Sequence, residues 1–118
     1  MTNFDFLQTE FPSIFQEASD AEKHAITAPR YCALLCRTAL EKTVHWLYEN
    51  DTDLQQPYDT KLASLIHEQC FRDMLKPSMF REIDAIRLAG NNAAHGKSVS
   101  RNEAITSLKY LFCFLSFV

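Results

Sequence analysis

Apolar residues recur along this chain at three- and four-residue steps over five separate stretches. That spacing is the period of helices with one buried face. From about Asn3 to Ile26 the stripe is Phe4, Leu7, Phe11, Ile14, Phe15 and Ala18, with Pro12 as a break or first-turn residue. A turn at Thr27-Ala28 leads to Pro29, a suitable opening residue for a second helix reaching about Glu49. There Ala33, Cys36, Leu40, Val44 and Leu47 form the stripe, widened by Cys32, Ala39, Thr43 and Trp46. Asn50-Asp51-Thr52-Asp53 has turn chemistry, and the polar stretch to Tyr58 reads as a loop.

A third helix is predicted from near Asp59 or Thr60, carrying Leu62, Leu65, Ile66 and Cys70, with a break expected before Phe71-Arg-Asp-Met-Leu75. Lys76-Pro77-Ser78 opens a fourth, with Met79, Ile83, Ile86 and Gly90 inward and Gly96 as its stop. Ser100-Arg-Asn-Glu103 has the spacing of a capping box at the start of a fifth. That helix presents Ala104, Leu108, Leu111, Leu115 and Val118. Long amphipathic helices joined by short loops pack antiparallel. The expected fold is therefore all-α: an up-and-down bundle of four main helices plus a short extra one. With 118 residues the chain makes one domain, residues 1–118.

Composition narrows the function classes. The formal net charge is -3, so strong independent binding of nucleic acid is not expected. A local basic patch could still form from Arg30, Arg37, Arg81 and Arg87. The polar, acidic N-terminus has no signal-peptide pattern, which points to the cytoplasm and to free thiols. Cys32, Cys36 and Cys113 suit buried small apolar positions. Cys32, Cys36, His67 and Cys70 lack zinc-knuckle spacing, so no metal is assigned. No apolar run is long enough for a membrane span. The run ending at Val118 stops within a strongly apolar helical turn, which reads as a chain cut from the N-terminus of something longer.

The densest chemistry lies between Arg87 and Gly96. Arg87, Asn91 and His95 follow at i, i+4 and i+8, with Asn92 beside them and Gly90 among small neighbours. Gly90 inside a helix costs about 1 kcal/mol against alanine, and a close helix crossing is the simplest compensation. On the second helix Arg37 and Glu41 are one turn apart. They form either a solvated surface pair or the facing half of a site in which Glu41 orients His95 or holds Arg87. His95 also suits a purely structural role, in the last turn of its helix.

Arg87-x-x-Gly90-Asn91-x-Ala93-Ala94-His95, preceded by Arg37-x-x-Leu40-Glu41, resembles a domain family of unknown function. That family is related to the HEPN (higher eukaryotes and prokaryotes nucleotide-binding) bundles and occurs at the N-terminus of R (restriction) subunits of type I restriction–modification enzymes. The opening Met1-Thr-Asn-Phe-Asp-Phe-Leu-Gln-Thr-Glu-Phe-Pro also resembles R-subunit N-termini. The resemblance spans nearly the whole chain. It implies a larger protein that uses ATP and Mg²⁺ to translocate and cut DNA. The rest of the R subunit, the other restriction–modification subunits and DNA would be its partners. The two glycines here supply no phosphate-binding loop, so that chemistry is expected outside this segment, which would need no cofactor.

Catalytic HEPN ribonucleases resemble Arg-Asn-x-x-x-His, whereas this chain has Gly90 before Asn91. The leading expectation is thus a non-catalytic module for docking or nucleic-acid contact through Arg37, Glu41, Arg87, Asn91, Asn92 and His95. The alternative is RNA binding, or RNA cleavage by His95, Asn91 and Arg87 in a homodimer. A purely structural bundle is the third reading.

Overall fold

The computed structural model describes residues 2–118. A 3-10 turn at Asp5–Leu7 precedes α1 (Pro12–His24), α2 (Pro29–Asn50), α3 (Leu62–His67), α4 (Gln69–Asp73), α5 (Pro77–Ala94) and α6 (Arg101–Phe117). Among the described residues no strand occurs. The four long helices are α1, α2, α5 and α6, as the periodicity predicts.

Local chemistry explains the boundaries. Pro12, Pro29 and Pro77 each open a helix, where a missing N–H leaves nothing unpaired. The residue before a proline is pushed out of the helical region. Phe11 (φ -132°, ψ 63°) shows this, so α1 begins at Pro12 and not at Asn3. One short extra helix was expected, and two occur. Glu68, with ψ 137°, interrupts the chain three residues before the anticipated break at Phe71 and leaves Phe71 inside α4, facing the core.

At the end of α5, Gly96 takes φ 78°. Its N–H donates to Ala93 O at 3.2 Å while the Lys97 N–H donates to Asn92 O at 2.8 Å, a Schellman close. The Ser100 hydroxyl accepts from the Glu103 N–H at 3.1 Å, and Glu103 accepts the Ser100 N–H at 3.3 Å, completing the capping box.

Helix α2 is central, packed by α1, α5 and α6. Its Lys42 meets Ser13 and Glu17 of α1, and Arg30 Nη2 donates to Ala93 O of α5 at 3.3 Å. Both helices therefore run antiparallel to α2. Cys32 lies against Ala104, so α6 runs alongside α2 in the same direction. Cys32, Ala33, Cys36, Ala39, Leu40 and Val44 are fully buried. The expectation of buried cysteines holds for Cys32 and Cys36 but not for Cys113, which is exposed on the outer face of α6. Val118 is also partly exposed, and Phe114 takes the inward position near that end. Among the described residues no helix is long and apolar enough to cross a membrane.

The short helices are tied down by Tyr48. Its hydroxyl donates to Leu65 O, and its ring stacks on Phe71 with centroids 6.0 Å apart. Burial, then the neighbouring Cys70 and Glu68, push the Tyr48 pKa well above the ordinary tyrosine range. A raised folded-state pKa favours the neutral form. Its contribution is therefore complete below about pH 10 and is lost as pH climbs above it. Urea midpoints of the wild type are expected to fall between about pH 10 and 11.5 more steeply than those of Tyr48→Phe. Equal slopes would refute a buried, neutral Tyr48.

Candidate functional site

Helices α2 and α5 pack tightly where Arg37 crosses Gly90. A Cβ placed on Gly90 would lie 2.4 Å from Arg37 Cβ and 2.6 Å from its Cδ. The arginine stem therefore rests on bare α5 backbone, which accounts for a mid-helix glycine. Beside this crossing, a shallow cleft of about 230 Å³ is lined by Arg37, Glu41, Lys61, Leu62, Ala63, Arg87 and Asn91.

Each cation is held differently. Arg87 is clamped by Asp84, with Nε and Nη2 both 2.9 Å from the same carboxylate oxygen. The side chains are only 15% and 25% exposed, which fixes the guanidinium at the wall. Arg37 Nη2 sits 4.0 Å from Glu41 Oε2, at the outer limit of an ion pair. Its Nε is buried and has no hydrogen-bond partner in the protein. Lys61 is exposed and occupies the N-cap position of α3. Its backbone N–H donates to Asp59 at 3.0 Å, and the Ser64 hydroxyl donates to the other carboxylate oxygen at 3.0 Å. The Lys61 N–H and then the Ser64 hydroxyl hold the Asp59 carboxyl below its usual range. Asp59 thereby anchors the turn that brings Lys61 to the cleft.

Four of the six residues singled out from sequence thus meet: Arg37, Glu41, Arg87 and Asn91. Asn92 faces the other way, into a groove between α5 and α6 with Asn102, Thr106 and Tyr110. His95 is exposed at the C-cap of α5 and does not line the cleft. The helix period explains this, because each four-residue step turns by about 40° and two steps carry His95 about 80° from Arg87. The carboxylate that holds Arg87 is Asp84, not Glu41. Of the possible basic patch, Arg37 and Arg87 converge; Arg30 is engaged at Ala93 and Arg81 is outside the cleft.

Sequence reasoning missed Lys61 and Asp84. Asp84 carried a signal, an acid three residues before Arg87 on one helix face. Lys61 carried none, because only the fold of the loop before α3 brings it near α5.

Chemically the cleft offers cationic donors and an amide, with no imidazole beside them. Such a set can hold an anionic oxygen. Glu41 is the one carboxylate in the cleft lining, and His95 lies outside it. Among the described residues no cluster of three or more His, Cys, Asp or Glu is placed to hold a metal. The hydrogen bond to Cys32 and burial push the Cys36 thiol well above its ordinary range, so Cys36 is a neutral core thiol.

The family model described as "Domain of unknown function (DUF4145)" matches residues 19–113, which covers the second half of α1 from Ser19, α2 to α5 in full and most of α6. No curated protein matches the chain, and no solved structure does.

Proposed function

This chain belongs to the DUF4145 family, and on that footing we propose that it is a non-catalytic helical module that contacts the phosphate backbone of nucleic acid. The carrying observation is the convergence of Arg37, Lys61 and Arg87 on one cleft, with Arg87 held at its wall by Asp84. Guanidinium and ammonium donors meeting in one place suit a phosphate oxygen. The lining carries three cations and one carboxylate, Glu41, with Asp84 and Asp59 behind Arg87 and Lys61, on a chain of net charge -3. Binding by the module alone is therefore weak and salt-sensitive, and specificity comes from elsewhere.

The setting we propose is the N-terminus of an R subunit of a type I restriction–modification enzyme in the cytoplasm. The rest of that subunit, its partner subunits and DNA surround the module, and ATP and Mg²⁺ serve the larger protein. Removing residues 1–118 from such a subunit is expected to impair assembly or cleavage. Unchanged assembly, ATPase and cleavage would overturn this setting without touching the cleft.

Fluorescence anisotropy with labelled duplex DNA and single-stranded RNA tests the cleft directly. At about 50 mM salt, binding in the 10–100 μM range is expected for the wild type. The Lys61→Ala/Arg87→Ala double variant should bind about tenfold more weakly, with the salt slope reduced by about 1–2. Unchanged affinity would refute the cleft as the contact. The ribonuclease alternative calls for a dimer that places two Asn91/His95 sites in one cleft. Labelled RNA decayed equally by wild type and His95→Ala would rule it out.

A further inference from the structure

A second concavity, of about 320 Å³, opens where the 3-10 turn, α1, α2 and the end of α6 meet. Its wall is apolar and aromatic: Phe6, Leu7, Phe11, Trp46, Leu115 and Val118. Phe6 is 51% exposed and Trp46 37%, so this surface is open. Phe112, itself 40% exposed, extends it by an edge-to-face contact with Phe6 at 5.9 Å. Trp46 is held edge-on by Phe11 at 5.0 Å, which gives the cup a defined wall. Apolar surface gathered in one concave place, with a polar rim, is the pattern of an interaction site.

The rim is acidic. Glu10 lies on the lip of the cup and also lines the adjoining depression, which adds Glu41, His45 and Glu49. The cation there, Lys42, is already taken by Glu17 at 2.6 Å and by Ser13 at 2.7 Å. Glu41 is paired with Arg37, which leaves Glu10 and Glu49 as the exposed carboxylates without an ion pair among the described residues beside the aromatic hollow.

We propose that this cup docks an amphipathic helix of a partner protein that carries aliphatic or aromatic anchors on one face and Lys or Arg along its flank. The anchors fill the hollow and the basic flank meets Glu10 and Glu49, the helix-in-groove mode of recognition. The same charges argue against the other occupants. A second copy placed symmetrically would set the acidic lip near its own counterpart, and like charges in an interface are unfavourable. An anionic membrane would be repelled in the same way.

Trp46 is the only tryptophan in the chain, so its emission reports directly on the cup. The probes are two synthetic helical peptides free of tryptophan. Both carry Leu and Phe at i, i+3, i+4 and i+7; one has Lys and the other Glu at the remaining positions. The Lys peptide is expected to shift Trp46 emission to the blue in a saturable way, and the Glu peptide to bind at least about tenfold more weakly. The Glu10→Lys/Glu49→Lys variant changes two exposed side chains and should melt like the wild type while reversing that preference. Equal binding of both peptides, or an unaltered preference in the charge-reversed variant, would overturn the proposal. So would a blue shift that grows with protein concentration alone, matched by a dimer in sedimentation. A shift with phosphatidylcholine vesicles and none with the Lys peptide would assign the cup to lipid instead.

Discussion

Gly90→Ala is expected to destabilise the bundle by about 1–3 kcal/mol through overpacking. This runs against intrinsic preference, because alanine is the better helix former by about 1 kcal/mol. The reason is where the new methyl would go: 2.4 Å from Arg37 Cβ, 2.6 Å from Cδ and 3.0 Å from Cγ. Outer arginine atoms can swing aside, but a Cβ is fixed to the α2 backbone. The two helices must then part along their shared face. Arg37→Ala keeps that Cβ and should not rescue Gly90→Ala, whereas Arg37→Gly should recover part of the loss, a coupling that a double-mutant cycle measures. Urea denaturation of the wild type, the three single variants and the two double variants checks this. A Gly90→Ala variant as stable as the wild type would show that the crossing is looser than described. The same substitution shifts Arg37, so the nucleic-acid affinity proposed for the cleft should fall with stability.

Phe71→Ala should have the larger effect, about 3–5 kcal/mol. Phe71 is fully buried and stacks on Tyr48, whose hydroxyl in turn holds Leu65. Truncation leaves a cavity under the two short helices and weakens the aromatic stack that ties α4 to α2. Lys61 stands at the N-cap of α3, so cleft binding should weaken as well. Phe112→Ala is the comparison. That ring is 40% exposed and touches Phe4 and Phe6 only by edge contacts, so under about 1 kcal/mol is expected. Thermal or urea unfolding ranks the two; a reversed order would mean that the core is not centred where Phe71 sits.

Most of the helical framework was legible in the residues themselves. The stripe Ala33, Cys36, Leu40, Val44, Leu47 on α2 is buried throughout. Prolines and the Ser100–Glu103 box marked helix starts, and Gly96 a stop, because each acts on backbone within a few positions. Two places were ambiguous for a physical reason. Phe4 and Leu7 are three apart, a spacing shared by an α-helix and a 3-10 turn. The region around Glu68 is too short for periodicity to locate a break, and the anticipated interruption at Phe71 falls inside α4 instead.

The cleft was half legible. Arg87 and Asn91 share a face of α5 with one turn between them, and Arg37 and Glu41 do the same on α2. Local spacing could pair residues within each helix. It could not say that His95 and Asn92 turn away, that Asp84 holds Arg87, or that Lys61 arrives from a loop.

The residues alone determined an all-helical chain, which faces of its helices are buried, and that a glycine amid Arg87–His95 marks a close approach. Helical period and capping are local properties, written within a few positions of each other. Only the tertiary structure decided which helix makes that approach and which polar groups meet beside it. The depth at which α2 crosses α5 at Gly90, and the path of the loop into α3, depend on how many separate side chains pack at once.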